Sequence, residues 1–430
     1  MKLQRQAIVI VGADRKGYYI GPALQGRGYQ CIHVACGEPA SADSDCPGWC
    51  THEYRLRTND DAAIAAVVRE LKQYSIKAIV AAGDGGVIAA NALAQHFDVP
   101  RNPAGSSLLH RHKYHMVDAL RRKDVPCAAQ FYSRSLDALK AWYRGCGFRR
   151  VVMKPSLGGY SDGVGVCENE AQITDVFERN INRINVVGEI KDEYVIQECL
   201  EGRHYVINTV SVDGAHFVTD IWHDVNHHEE TYLVDEYSDL LSRDAPEFAD
   251  LTAYAFDVLD ALQIGNGPAH TEVMLTSNGP RLIETGARLA GGIDFAVVEE
   301  CNGFSQISML ADSIVAPHLF SRKAALCELA PQRFARFIYM SSDVSGQLNG
   351  SLDLERFLVV PSLMSIKLAI APRGLLRQTR YALGHPGYAM LLADSQAVLE
   401  RDYAMFRDIE RSFFTEATGR IDLAGQHAAV

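Results

Sequence analysis

Two stretches of the sequence carry residue types whose spacing could do chemistry. In the run Val151-Val152-Met153-Lys154-Pro155-Ser156-Leu157-Gly158-Gly159-Tyr160-Ser161-Asp162-Gly163-Val164-Gly165-Val166, an apolar strand ends in a lysine. A glycine-serine loop follows and leads into a second strand. Glycines let backbone N–H groups approach an anion closely, serines add hydroxyl donors, and the lysine supplies a point charge. That combination suits phosphate, although a purely structural hairpin could look the same. It is not a Walker loop, because no Gly-Lys-Ser/Thr opens a helix. The second stretch is His270-Thr271-Glu272 with Ile283-Glu284-Thr285-Gly286-Ala287-Arg288-Leu289-Ala290-Gly291-Gly292. Paired strands would set Glu272 and Glu284 side by side, which is unfavourable unless a cation lies between them. Magnesium takes carboxylate oxygens together with phosphate oxygens, and the planar fork of Arg288 could clamp an anion. The plainer alternative is two exposed carboxylates on a sheet edge; the apolar flanks Val273, Met274, Leu282 and Ile283 speak against it.

Other motifs are less specific. Glu193–Gly202 reads as a strand with alternating faces and a glycine stop, without chemistry of its own. Gly83-Asp84-Gly85-Gly86 falls where an open parallel sheet places its ligand crevice, but a tight turn explains it equally well. The histidines of Trp222-His223-Asp224-Val225-Asn226-His227-His228-Glu229-Glu230 invite a zinc reading, yet the stretch reads as a long surface loop. Cys46 and Cys50 have no second matching pair, which leaves scattered thiols as the simpler reading of the ten cysteines.

The elements that must position these residues change character along the chain. Over the first hundred residues strands and helices alternate: strands at Ala7–Val11, Cys31–Ala35 and Ala78–Ala82, helices at Tyr18–Gly28, Ala62–Tyr74 and Val87–Phe97. Alternation of this kind predicts a parallel sheet covered by helices. Val99-Pro100-Arg101-Asn102-Pro103 marks a boundary, and a basic helix, His110–Lys123, follows it. From Val151 to Cys301 strand pairs dominate: Tyr194–Leu200, Tyr205–Val212 and His216–Ile221, with Asp213-Gly214 as a hairpin turn. The amphipathic helix Asp250–Leu262 and a hairpin of His270–Thr276 with Pro280–Glu284 come next. Strands at Phe334–Met340, Met364–Ala371 and Tyr388–Leu392 and a closing helix Ser395–Ser412 complete the chain.

The chain has 430 residues, 47% hydrophobic and 22% charged, enough for two or three packed units. With 42 basic against 53 acidic residues, the net charge of −11 offers no general attraction to a phosphate backbone, so nucleic acid is not expected as a partner. No apolar run is long enough to cross a bilayer. Ala7–Val11 is too short for a signal-peptide core, and a cytoplasmic location is expected.

The ordered set resembles the ATP-grasp superfamily, and within it the carboxylate–amine ligase branch related to L-amino acid ligases. Lys113 in the basic helix, Lys154-Pro155 with its glycine-rich hairpin, Gln197-Glu198-Cys199-Leu200-Glu201-Gly202, and the paired glutamates followed by arginine occur in that family's order. The resemblance covers about Leu108–Gly303. It implies α/β and α+β architecture: a Rossmann-like parallel sheet domain over 1–103, an ATP-grasp lid and nucleotide-binding subdomain over 104–200, a metal and catalytic subdomain over 201–325, and an α+β unit over 326–430. It implies an acid activated by ATP as an acyl phosphate and passed to an amine, with Mg2+ as cofactor and Mn2+ able to substitute. Lys113 and Lys154 would contact the phosphates, and Ser156, Gly158, Gly159, Ser161 and Gly163 would close over them. Glu198, Cys199 and Leu200 would form the adenine hinge, Glu272 and Glu284 would hold the metal, and Arg288 would stabilise the acyl phosphate. Gly291 and Gly292 would receive a substrate carboxylate, and Trp222 or His223 would border the substrate. The partners would be a small carboxylate and an amine, the assembly a homodimer.

Two positions depart from the family pattern. Asparagine is usual two residues after the second metal glutamate, where this chain has Gly286. An acidic residue is common after the hinge glycine, where this chain has Arg203-His204, leaving His204 as the expected ribose contact. Two alternatives keep the nucleotide site: a bicarbonate-using carboxylase, for which no biotinyl-lysine motif is present, and a regulatory module without turnover, against which Lys154, Glu272, Glu284 and Arg288 argue.

Overall fold

The computed structural model describes the chain apart from residues 1–5, 14–18, 38–47, 160, 186–187, 230–231, 292, 319, 321, 323–332, 351, 381–383 and 419–430. Four parallel strands open the fold: β1 (Gln6–Val11), β2 (Gln30–Cys36), β3 (His52–Leu56) and β4 (Ser75–Ala81), in the order β3-β2-β1-β4. Ala7 to Val11 are apolar and wholly buried, as a central strand covered on both faces requires. Helices α1 (Ile20–Gln25), α2 (Asp61–Leu71) and α3 (Val87–Ala94) accompany the sheet. The Asp60 carboxylate caps α2 by accepting the Ala63 N–H, and the Ile64, Val67, Val68 and Leu71 stripe packs inward.

A second, antiparallel sheet follows α4 (Lys113–Arg122). It is built from β5 (Gln130–Ser133), β6 (Val151–Pro155), β7 (Gly165–Cys167) and β8 (Tyr194–Glu198), in the order β5-β8-β6-β7. Helices α5 (Leu136–Cys146) and α6 (Glu170–Asn180) cover it through a small core of Leu139, Met153, Ile173, Phe177 and Ile196. The third sheet is the frame of the molecule: eight antiparallel strands in the order β13-β12-β9-β10-β11-β14-β18-β16. They are β9 (Arg203–Val212), β10 (Ala215–Glu229), β11 (Tyr232–Leu240), β12 (Gly267–Thr276), β13 (Gly279–Gly286), β14 (Phe334–Tyr339), β16 (Leu363–Leu368) and β18 (Gly387–Ala393). The short pair β15 (Gly346–Gln347) and β17 (Leu375–Leu376) stands apart. Helices α7 (Phe248–Ala261), α8 (Phe295–Asn302), α9 (Gln306–Val315) and α10 (Gln396–Ala417) pack around the large sheet. One apolar cluster runs from Val9 and Val11 through Leu93 and Leu120 to Leu259, Ile207 and Val273, so the parallel sheet and the large sheet share a core.

Several elements differ from expectation. The stretch 222–229 is not a surface loop: β10 runs on to Glu229, paired with β9 as far as Asp224 and with β11 from Trp222 onward, and Glu230 lies outside the described residues. Polar residues on both faces of that half of the strand erase the alternation that would have revealed it. Strand β3 and helices α5, α6, α8 and α9 were not expected. In α6 only Ile173 and Phe177 are fully buried, too few to show a helical stripe. The first helix is shorter than the Tyr18–Gly28 pattern, spanning Ile20–Gln25. Cys46 lies outside the described residues, and Cys50 is disulfide-bonded, which removes it as a zinc ligand.

Candidate active site

The β12–β13 hairpin places Glu272 directly opposite Glu284, with a bulge at Ile283 of β13 facing the step from Glu272 to Val273. The two carboxylates are held by different cations. Lys113 Nζ stands 3.0 Å from Glu284 Oε2. Glu272 sits between two imidazoles, with His204 Nε2 at 3.6 Å and His270 Nε2 at 3.7 Å. Burial alone would raise the Glu272 pKa; the two histidines outweigh it and hold the carboxyl well below its usual range. Burial likewise disfavours the charged form of His204, but Glu272 and Asp224 outweigh it and raise the imidazole to about 9. Glu272 and His204 are therefore an ion pair at neutral pH.

Behind His270 runs a buried polar chain. His270 Nδ1 lies 2.9 Å from Asn208 Oδ1, the Asn208 amide donates to Asp220, and the Trp222 indole N–H donates to Asp220 Oδ1 at 2.7 Å. Thr219 adds a hydroxyl bond to the other Asp220 oxygen at 2.8 Å. Every member thus has a partner, which is what keeps such a network from being destabilising.

Lys113 opens α4, where its own N–H donates to the Ser156 carbonyl at 2.9 Å and its Nζ to the Gly158 carbonyl at 3.2 Å. Lys154, the last residue but one of β6, is buried and donates to the Ile283 carbonyl at 3.2 Å. Burial and the neighbouring Lys113 charge push it down to about 8, against the pull of Glu284 and Glu272. Lys113, Lys154, Glu272 and Glu284 thus meet between the β6–β7 hairpin and the β12–β13 hairpin. The glycine loop lies over the same place. Ser161 and Gly163 adopt left-handed backbone, Tyr194 Oη donates to the Gly163 carbonyl, and Lys191 Nζ pairs with Asp162 Oδ1 at 2.7 Å. Ser156 is buried, with its N–H donating to the Glu193 carbonyl. Gly159 stands beside the Asp84 carboxylate.

At the end of β8 the Glu198 N–H donates to the Ala129 carbonyl, the Glu198 carboxylate accepts the Ala129 N–H, and the Cys199 N–H goes to the Arg150 carbonyl. Leu200 follows, half-buried. Arg288 is buried; its Nε donates to Asp84 Oδ1 at 3.1 Å and its Nη1 to the Leu289 carbonyl at 3.0 Å. Gly291 lies just beyond, and Gly292 is outside the described residues.

Three residues stand elsewhere than the sequence suggested. Trp222 is buried among Val206, Val297, Val298 and Phe337, so its ring is core. His223, the next residue of β10, points to the opposite face of the sheet from Glu272 and stacks on Tyr205, with ring centroids 5.0 Å apart. His204 faces Glu272 and Asp224 rather than standing alone after the hinge. Sequence reasoning also missed contributors. Asp224 and Asp235 line the wall beyond His204; burial raises both carboxyls, Asp235 to about 7. Gln306, fully buried at the start of α9, accepts the Ala290 N–H at 2.7 Å and donates to the Thr209 and Ala269 carbonyls, fixing the segment after Arg288. A glutamine outside any motif gives no signal of this. Among the described residues no group of three or more His, Cys, Asp or Glu side chains could hold a metal by itself. A cation between Glu272 and Glu284 would therefore take its other ligands from phosphate oxygens and water, as magnesium does in nucleotide sites.

A family model described as the ATP-grasp domain matches residues 148–295. The chain is 33% identical over 422 residues to dapdiamide A synthase of Enterobacter agglomerans, spanning 95% of this chain and 97% of that one. It is 21% identical over 261 residues to an L-arginine-specific L-amino acid ligase of Bacillus subtilis, spanning 57% of this chain and 59% of that one. Among solved structures, an L-amino acid ligase from Bacillus licheniformis superposes with a TM-score of 0.75 at 19% identity, over 94% of this chain and 98% of that one, which speaks for the shared fold. The chain belongs to the ATP-grasp family, in the branch of ATP-dependent carboxylate–amine ligases.

Proposed function

We propose that this ligase joins a small carboxylic acid, an amino acid or a related acid, to the amino group of a second small molecule. The observation that carries the reading is the meeting of two lysines and two opposed glutamates beneath a glycine loop. The relatives named for amino acid ligation and for dapdiamide synthesis support substrates of this size and chemistry. A carboxylate oxygen attacks the γ-phosphorus of ATP, the bond to the β-phosphate oxygen breaks, and ADP leaves. The amine nitrogen then attacks the acyl carbon, loses a proton, and expels phosphate as the amide forms.

Lys113 and Lys154 would neutralise the phosphate oxygens, where most of the catalysis of phosphoryl transfer lies. The opposed carboxylates fit Mg2+ or Mn2+: hard oxygen donors, adjacent across a strand pair, with like charge to be offset. Held by Glu272 and Glu284, the metal would supply positive charge to the transferring phosphate. Gly286 adds no side-chain ligand, so phosphate oxygens would complete the shell. The paired His204 and His270 keep Glu272 ionised and oriented for that role. The adenine edge would meet Cys199 and Leu200 through backbone groups. The loop over Ser156–Gly163 would exclude water, which otherwise hydrolyses the acyl phosphate.

The test is turnover by the Glu284→Gln enzyme with a panel of amino acids and small carboxylates, read by phosphate release and product mass. The expected loss is about a hundredfold or more, the size of one charged transition-state contact. Parent-level, metal-dependent turnover in this variant would overturn the reading.

A further inference from the structure

The turn Gly83-Asp84-Gly85-Gly86 holds an acidic residue among three glycines. It follows β4 and leads into α3. Gly86 lets it lie directly on the end of β1: a Cβ there would run into the Val11 carbonyl, and a Cβ on Gly12 would stand 2.7 Å from the Gly86 nitrogen. The turn thus places the Asp84 carboxylate at the C-terminal end of β4, buried and reaching across to the large sheet. One oxygen, Oδ1, accepts from two guanidinium groups, Arg288 Nε at 3.1 Å and Arg111 Nη1 at 3.2 Å. Arg111 in turn meets both Glu189 oxygens through Nη2, at 3.2 and 3.1 Å, so its charge is balanced on both sides.

Arg288 is held differently. Its Nε is taken by Asp84 and its Nη1 by the Leu289 carbonyl, and two anchored nitrogens fix the plane of a rigid guanidinium. Among the described residues Nη2 has no protein acceptor, which leaves it as the donor for a substrate oxygen. Gly286 makes this pose available, since a Cβ at that position would crowd Arg288 Nε at 3.2 Å and Cγ at 3.3 Å.

We propose that Asp84 is a positioning residue for ligation: from the parallel sheet it fixes the plane of Arg288 and so aims Nη2 at the acyl phosphate. The inference rests on the ligase reading proposed above together with the role that the family resemblance implies for Arg288, stabilising the acyl phosphate. A carboxylate that only balanced buried charge would, when removed, lower stability and leave the turnover of the folded enzyme alone. A carboxylate that aims a donor acts on kcat, because a misplaced donor loses transition-state stabilisation while ATP still binds.

The experiment measures kcat, KM for ATP and melting temperature in Asp84→Asn and Asp84→Ala, beside Glu284→Gln. Asn keeps the shape and one acceptor oxygen, so it remains foldable if Ala does not. Expected is a kcat lower by about a hundredfold for Asp84→Ala and about tenfold for Asp84→Asn, with KM for ATP within about twofold of the parent. Parent kcat in folded Asp84→Asn overturns the inference, and so does a loss that appears equally in KM for ATP. Parent kcat in Glu284→Gln overturns instead the underlying reading of the site.

Discussion

Gly286 shows how a single missing side chain can redirect a neighbour. Where the family often carries asparagine, this chain has no Cβ, and Arg288 occupies the space, 3.2 to 3.5 Å from where that atom would be. Gly286→Asn would press on a guanidinium already anchored by Asp84 and the Leu289 carbonyl. The expected outcome is a kcat lower by about tenfold with ATP affinity retained, checked by steady-state kinetics and nucleotide titration. A variant as fast as the parent would mean that Arg288 has room to shift without consequence. At this scale the sequence was informative wherever charge alone named the role. Lys154, Glu272, Glu284 and Arg288 are charged residues set within or just after apolar stretches, and they stand out for that reason. Asn208, Asp220 and Gln306 are ordinary polar residues whose roles come from partners far along the chain: His270 lies 62 positions from Asn208, and Ala269 lies 37 from Gln306. His204 was noticed as a departure from the family pattern, but its neighbour Glu272 is brought to it only by the pairing of β9 with β12.

The elements that carry these residues depend on register, because a slip of one position would turn Glu272 to the opposite face. The bulge at Ile283 and the tight start of β9 both act on it. Gly202, between the hinge and β9, has φ +156°, and a Cβ there would run into the Leu275 carbonyl on β12. Gly202→Ala therefore combines backbone strain with a clash against a neighbouring strand's backbone, and should destabilise the protein by about 2 kcal/mol. The measurement is melting temperature, with turnover taken well below it. Because Arg203 pairs with Leu275 and His204 is the next residue, turnover should also fall. An unchanged melting temperature would show that β9 is free to move there. Strongly patterned elements could be read from the sequence. The buried stripe of α2, the apolar run of β1 and the Asp213-Gly214 turn agree with what the residues suggested. The far half of β10 could not be read, since Asn226-His227-His228-Glu229 is polar at every position, and β3 has a single buried residue, Leu56. Periodicity marks burial on one face, and these strands lack it.

Across the whole molecule, the parallel sheet is joined to the large sheet by polar as well as apolar contacts. Arg27 pairs with Asp312, and Asn102 exchanges hydrogen bonds with Asn266. His110 is a further tie: almost fully buried just before α4, it bonds the Leu262 carbonyl at the end of α7 at 2.9 Å. Burial lowers its pKa to about 4, more than the carbonyl bond can restore. An unfolded chain would titrate this histidine near its ordinary value of roughly 6.5. Between those two values the unfolded state binds the proton and the folded state does not. His110 therefore stabilises the fold fully above pH about 6.5 and progressively less as the pH falls toward 4. At pH 5 the loss should be about 2 kcal/mol relative to neutral pH. Other groups move oppositely, Asp235 among them with its carboxyl raised to about 7, so the parent's own pH curve mixes several contributions. His110→Gln separates them, because the amide can still donate to the Leu262 carbonyl and has no proton to gain. Denaturant unfolding of parent and variant at pH 7 and pH 5 gives the difference directly. The variant should gain on the parent by about 2 kcal/mol on going from pH 7 to pH 5. Parallel losses in the two proteins would show that the site admits a proton on His110 without penalty, and hence that the joint between α4 and α7 is wetter than the packing around it implies.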